Sequence, residues 1–399
     1  MRVALALAML FAGPVSHPSL VVTQRLGNGP SRVVLLQENG ATRVLAKGFA
    51  EAADPEVSWD GKKILFAARR KPSDPWQIYE MPAQGGAARQ VVSAPFDCRN
   101  PIYQSMVYVI TADLPWPQIA FLANGALYSA RLDGSDIRRL TWHTAPDSAP
   151  QMMPDGRMVF SSQGGLYAVN ADGTDFAEFS THEGSPGKRD PIVTADGQVV
   201  FAEPGGLSAV SLRRNLHSYR RIAADVAFDS YTALPDGGIL LIQKGKLSQL
   251  GGGAWPGEGI LQARALVPRP EPDGRSSVVD ETKPTGKLYC LSVHTTDTED
   301  SEWPRLVKRL RLIGPKNEPI GEADLEPDGS FQVEVPANRP VRIQVLDARG
   351  AVRRQCAEIW VRNNENRGCI GCHEDGELAP ENRLANALNK PAVRLGGAK

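Results

Sequence analysis

Apolar positions between residues 20 and 262 fall in short runs broken by Asp-Gly pairs, not at the spacing of helical faces. Ser58-Trp59-Asp60-Gly61-Lys62-Lys63-Ile64-Leu65-Phe66 is followed by Met153-Pro154-Asp155-Gly156-Arg157-Met158-Val159-Phe160. The pattern returns at Ala195-Asp196-Gly197-Gln198-Val199-Val200-Phe201 and at Pro235-Asp236-Gly237-Gly238-Ile239-Leu240-Leu241. Asp-Gly tolerates the positive φ of a tight hairpin, and the run after it reads as a buried strand. Asp155, Asp196 and Asp236 recur at intervals of about 40 residues, the period of a four-stranded propeller blade. The wider gap after Asp60 leaves room for one degenerate copy near 100–110. An opening unit over 21–48, with the strand-like Ser31 to Leu36, makes six blades.

A second element follows in the repeats: Gln77-Ile78-Tyr79-Glu80-Met81, Ala126-Leu127-Tyr128 before Asp133-Gly134, and Gly165-Leu166-Tyr167 before Asp172-Gly173. Together these residues resemble TolB-type propeller repeats, which carry a Pro-Asp-Gly-Lys turn, an apolar strand, and Ile-Tyr ahead of Asp-Gly. The resemblance implies a fold, not an activity. Asp133, Asp136, Asp172 and Asp175 look like calcium-loop carboxylates but stand where Asp serves hairpin turns. Trp59, Trp76, Trp142 and Trp255 read as blade packing and Cys98 as a small buried side chain. The channel at the propeller's centre is the default place for a ligand or partner. A propeller-linked serine hydrolase is disfavoured because no G-x-S-x-G occurs.

Residues 263–285, rich in Pro, Gly and charge, read as a linker. Beyond them, extended runs at 287–293, 306–313, 330–335, 341–346 and 357–361, with turns at Asp328-Gly329 and Arg349-Gly350, predict a small antiparallel β-sandwich spanning 286–399. The fold class is therefore all-β: a six-bladed propeller over 20–262, then a β-sandwich-like domain with a haem-attachment turn near its C-terminal end.

Composition narrows the partners. Lys+Arg and Asp+Glu both number 45, so a nucleic-acid surface is not expected. After the N-terminus no apolar stretch reaches about 18 residues, so no transmembrane helix is predicted. Arg2 followed by the apolar run Val3 to Ala12 reads as a signal peptide over 1–18, which predicts export to the periplasm or beyond.

Of five cysteines, Cys369 and Cys372 form Cys-Ile-Gly-Cys-His with His373, the pattern of covalent haem c attachment. Two thiols three residues apart can bond the vinyl-bearing edge of a porphyrin while the next His becomes the proximal iron ligand. All seven methionines lie at or before Met158, so the second domain offers only His294 as a distal ligand of its own. His143, His182, His217 or a Met from the propeller, or an open iron, are the alternatives. A zinc site is the competing reading, with Cys290, His294 and Cys356 available beside the motif. An acidic group at Glu374, Asp375 and Glu377 follows; near an iron it would favour the ferric state. A short helix is expected over 383–388.

The runs Glu326 to Pro336 and Val341 to Asp347, followed by Arg367-Gly368-Cys369-Ile370-Gly371-Cys372-His373-Glu374, resemble the middle domain of hydrazine synthase alpha subunits and their relatives. That family also places a propeller before a β-domain ending in a haem c motif. The resemblance implies a haem protein, with a tyrosine holding the iron four residues after the motif histidine and that histidine turned toward zinc. Here that position is Glu377; Cys290 and His294 would be the partners of His373 at a zinc. The synthase subunit also continues into a further haem domain. Three functions follow as expectations. The first is a mono-haem electron-transfer protein whose propeller docks a redox partner protein. The second is a haem enzyme acting on a small nitrogen or oxygen compound, and the third a propeller interaction module with zinc or no cofactor.

Overall fold

The computed structural model describes residues 18–109, 112, 114–179, 186–296, 303–372 and 384–396. The segment predicted as a signal peptide, up to residue 17, and His182 lie outside these residues.

The Asp-Gly turns are held by their own carboxylates. Oδ1 of Asp60, Asp155 and Asp236 accepts the amide of Lys62 (3.0 Å), Arg157 (3.1 Å) and Gly238 (2.9 Å). Each turn joins the first two strands of a four-stranded antiparallel sheet, and six such sheets are present among the described residues between 20 and 265. One sheet runs Glu51–Val57, Lys63–Arg69, Gln77–Pro82 and Arg89–Gln90. The first strands of neighbouring sheets touch in a closed ring: Ile260–Ala265, Glu51–Val57, Arg99–Tyr103, Gln151–Met152, Arg189–Val193, Ser230–Ala233 and back. They line the propeller's axis. The run that follows each turn supplies the packing between blades: Phe66, Phe121, Phe160 and Phe201 occupy equivalent second strands and are fully buried. Each contributes about 1.5–3 kcal/mol of burial relative to exposure.

Several axial strands carry a bulge at Asp-Pro or Asn-Pro. Asp54, Asn100 and Asp190 take φ of 55°, 50° and 52°, and the strand register shifts beside each. Proline lacks a ladder donor, so it is accommodated at a bulge. The Asp54 carboxylate then ties three blades together, accepting from Arg99 Nε (2.6 Å), the Asn100 amide (3.0 Å) and Gln262 Nε2 (2.9 Å).

Two features depart from the expected layout. The strand Ile260–Ala265 runs past the boundary drawn at 262, pairing antiparallel with Leu20–Gln24 to supply the axial strand of the first blade. The expected linker is also bound to the propeller along its length. Leu266 donates to Ser19 O (2.8 Å), Arg269 to Trp59 O (2.8 Å) and Asp273 to Pro154 O (2.8 Å). Arg275–Ser277 then pairs in parallel with Val107–Val109, a detour of the third blade. Gly156 (φ 83°) admits this strap, since a Cβ there would lie 2.3 Å from Asp273 O.

The second domain is a sandwich of two four-stranded sheets among the described residues. One has the order Asn366–Cys369, Thr285–Cys290, Phe331–Pro336, Val393–Arg394; the other Pro319–Asp324, Val307–Ile313, Arg342–Asp347, Val352–Gln355. Phe331, Val333 and Val335 alternate inward onto Leu288, Leu310, Leu312 and Val345. Residues 357–361 make only an isolated bridge, Val341 with Ile359. Val361 packs in the sandwich core, while Trp360 turns to the seam between domains. Trp360, 1% exposed, stacks on Phe176 at 3.9 Å, and its Nε1 donates to Gly173 O (3.3 Å). Glu365 accepts the amides of Asp175 (2.7 Å) and Arg362 (2.6 Å), and Arg362 Nε donates to Asp172 O (3.1 Å). Near the C-terminal end, the expected helix is a 3-10 turn, Asn386–Asn389.

Candidate functional site

The Cys-x-x-Cys segment grows out of a sheet edge. Asn366–Cys369 pairs in parallel with Thr285–Cys290, which places Cys369 opposite Cys290. Past the strand ends the two segments stay together. Leu291 donates to Cys369 O (3.0 Å), Ser292 to Ile370 O (3.2 Å), and Cys372 to Thr295 O (2.9 Å). Arg354 Nη1 closes the far end, donating to Cys372 O (3.0 Å) and Thr296 Oγ1 (2.7 Å). Both glycines of Gly-Cys-Ile-Gly-Cys are required by this approach. A Cβ on Gly371 would sit 2.4 Å from Thr295 O, and one on Gly368 2.4 Å from the Tyr289 ring.

Cys369 and Cys372 are partly exposed, while Cys290 is buried with its Sγ 3.8 Å from Ile370 O. Neither motif cysteine is in a disulfide. Cys356 packs on the same core as these three thiols. Its thiol is pushed up to about 12, first by loss of solvation and then by the neighbouring Cys369 and Cys372, against the Ile343 amide (3.0 Å), which favours the thiolate. His294 lies on the 290–296 segment between its contacts to Ile370 and Cys372. Its ring rests against Gly329, where a Cβ would be 2.7 Å from His294 Cγ. The structure thus brings Cys290, His294, Cys369 and Cys372 onto two adjoining segments. His373, Glu374, Asp375 and Glu377 lie outside the described residues. Among the described residues, no group of three or more His, Cys, Asp and Glu side chains is placed to hold a metal ion.

The described part of the donor set, Cys369 and Cys372, has the spacing and exposure that covalent haem would need. Two thiols outside any disulfide, three residues apart and partly exposed, sit on a turn whose backbone is fixed from the opposite side. His143, a distal candidate, is committed elsewhere: its Nδ1 is 2.7 Å from Asp147 Oδ1, and its ring lies among Phe160, Tyr167, Phe176 and Trp360.

The calcium-like carboxylates act within their own turns, Asp133 Oδ1 accepting from the Ser135 amide (2.9 Å) and Asp172 Oδ1 from that of Thr174 (3.0 Å). Cys98, Trp76 and Trp255 are buried in blades, whereas Trp142 meets Trp360 at the seam and Trp59 faces a cavity at the channel mouth. The strap that closes this cavity was hidden in a proline-rich run that reads as loop, so only Trp59 and Arg269 could have signalled it.

Comparison with known proteins follows the same division. Residues 307–374 match the family model of the hydrazine synthase alpha subunit middle domain. The hydrazine synthase subunit alpha of Kuenenia stuttgartiensis is 43% identical over 104 residues, covering 23% of this chain and 13% of that protein. The chain therefore matches a small part of the length of that relative. The solved hydrazine synthase of Kuenenia stuttgartiensis superposes with a TM-score of 0.76 at 20% identity, covering 94% of this chain and 71% of that one. TolB from Acinetobacter baumannii gives a TM-score of 0.47 at 14% identity over 62% of this chain and 66% of its own. The chain is accordingly a β-propeller joined to a domain that, over residues 307–374, matches the hydrazine synthase alpha subunit middle-domain family.

Proposed function

We propose that this chain is an exported mono-haem c protein that transfers electrons, with Cys369 and Cys372 holding the haem covalently and His373 supplying the proximal nitrogen. The observation that carries the reading is the fixed Cys369–Cys372 turn, with two partly exposed thiols on a backbone pinned to residues 290–296. Haem bound there supplies one-electron redox chemistry; the chain's part is to fix the attachment turn. His294, on the adjoining segment, is the candidate distal ligand, and the propeller is the platform on which a redox partner docks. Export follows from the N-terminal pattern of Arg2 and the apolar run after it.

A second reading is favoured by the identity to a hydrazine synthase subunit: a haem enzyme with an open iron acting on a small nitrogen or oxygen compound. The test is a pyridine haemochrome assay and optical spectra on protein co-expressed with haem-attachment machinery in a periplasm. A c-type band is expected in the wild type and not in Cys372→Ala. Low-spin spectra indifferent to carbon monoxide, turning high-spin in His294→Ala, support electron transfer; carbon monoxide binding to the wild type supports the enzyme. Wild-type protein without haem overturns both, and metal analysis then decides whether Cys290 and His294 serve zinc.

A further inference from the structure

The strap over 266–272 encloses a cavity of about 350 Å³ at one end of the propeller channel, within the size range of small-ligand sites. Its walls come from the ends of five axial strands and the turns after them. Trp59, Met152, Met153, Ile192 and Leu234 give an apolar lining, and Pro268, Pro270 and Pro272 form the strap side.

Charge in this place is unbalanced. Glu56, buried behind the wall, is shared by two guanidiniums: Arg264 Nε at 3.0 Å, and Arg269 through its Nη2. Arg269 also donates to Val57 O (2.8 Å) and lies 4.3 Å above the Trp59 ring. Asp54, deeper in the channel, is engaged by Arg99. Glu271, the other carboxylate on the lining, is exposed and pairs with neither arginine. One guanidinium charge is left over beside the cavity; the Arg269 side chain is 37% exposed, but its Nε is buried and has no hydrogen-bond partner. Poor solvation also lowers Arg264 and brings Arg269 down to about 10. A buried donor is costly unless something meets it.

We infer that the strapped channel mouth is a binding site for a small monocarboxylate with an apolar body, its carboxylate met by Arg269 and its body by the Trp59, Met153 and proline lining. This site is independent of the Cys-x-x-Cys-His segment, and its failure would leave the haem reading untouched.

Isothermal titration of the full-length protein with benzoate and hexanoate, set against benzamide, hexanamide and acetate, tests it. The two acids are expected to bind at least about tenfold more tightly than their amides, since charge-assisted hydrogen bonds exceed neutral ones by that order. Arg269→Gln is expected to remove that preference, and Trp59→Ala to weaken both acids while the preference for acid over amide remains. Equal affinity for acid and amide, binding of acetate as tight as that of benzoate, or an Arg269→Gln protein that still prefers the acid overturns the assignment. Should Arg269→Gln fail to fold, the wild-type acid-to-amide ratio decides alone.

Discussion

Trp360→Ala tests how the two domains are joined. Trp360 is 1% exposed, and its surroundings belong almost wholly to the propeller: Phe176 stacked at 3.9 Å, His143 edge-on at 5.0 Å and Trp142 at 5.9 Å. Truncating a buried Trp removes transfer free energy and leaves a cavity, about 3–5 kcal/mol in well-packed sites. The stack on Phe176 carries about 0.5–1.5 kcal/mol beyond area. Loss of the Nε1–H leaves Gly173 O without that donor, at a cost of about 1 kcal/mol. These contributions overlap, so about 4 kcal/mol is expected, all of it in the coupling between domains. Urea unfolding followed separately by propeller tryptophan fluorescence and by sandwich proteolysis is the assay. The wild type should unfold in one transition; the variant should split, with the sandwich cleaved at lower urea. Trp360→Phe, which keeps a ring against Phe176, should lose about 1–2 kcal/mol less than the alanine variant. A single transition displaced by under 1 kcal/mol in Trp360→Ala would refute the reasoning and place the coupling in Arg362 and Glu365.

Gly371→Ala should cost about 2 kcal/mol through backbone displacement at Thr295 and lower covalent haem yield, read by melting temperature and haemochrome; an unchanged melting temperature counts against the tight turn. Cys98 is fully buried and its thiol is pushed up to about 12 by loss of solvation, so iodoacetamide should label it only after unfolding. Labelling of native Cys98 on the minute scale would contradict that burial. The Asp347 carboxyl is held below the usual range, first by the Ala351 amide, with Arg353 adding to it. Its stabilisation is present above the unfolded-state pKa and fades as pH falls through the folded one. Asp347→Asn should therefore flatten the loss of sandwich stability below about pH 4, measured by thermal melts across pH. Glu365 is shifted the other way, raised by burial, so its contribution is most favourable at low pH and declines as pH rises through its folded pKa.

The propeller was legible because its repeat is local. Each Asp-Gly turn needs only its own side chain and one amide, and each Phe sits a fixed step beyond it. What escaped was nonlocal. The strap over 266–275 bonds through backbone groups to Trp59, Pro154 and Met106, contacts that leave no residue pattern where they are made. Within the sandwich, 357–361 carries strand-like residues because Val361 packs in the sandwich core and Trp360 in the propeller, so burial outside a sheet ladder imitated burial within one. The strands Pro319–Asp324 and Val352–Gln355 are exposed along much of their length, which removed the alternation that would have marked them. Around the Cys-x-x-Cys turn, Cys290 and His294 were candidates by chemistry and count; their placement beside Cys369 and Cys372 came only from the sheet and the segment after it. Trp59 packs on a blade core as expected, and nothing near it in sequence announces that it also lines a cavity.

The first blade also sets an order on events. Its three outer strands, Leu20–Gln24, Arg32–Leu36 and Thr42–Val44, come from the start of the propeller, while its axial strand Ile260–Ala265 comes from the end. During vectorial synthesis or export that blade stays incomplete, with a bare strand edge, until the last blade has emerged. The closing contact spans nearly the whole ring, so its loop-closure entropy must be met late and its rate is that of a high-contact-order step. Blades two to six are hairpin-built and can form early; ring closure is the slow event. A circular permutant of residues 20–265 alone, with 265 joined to 20 by a short turn and a surface turn opened elsewhere, would convert the closing strand into a local hairpin and should fold faster than the unpermuted 20–265 segment.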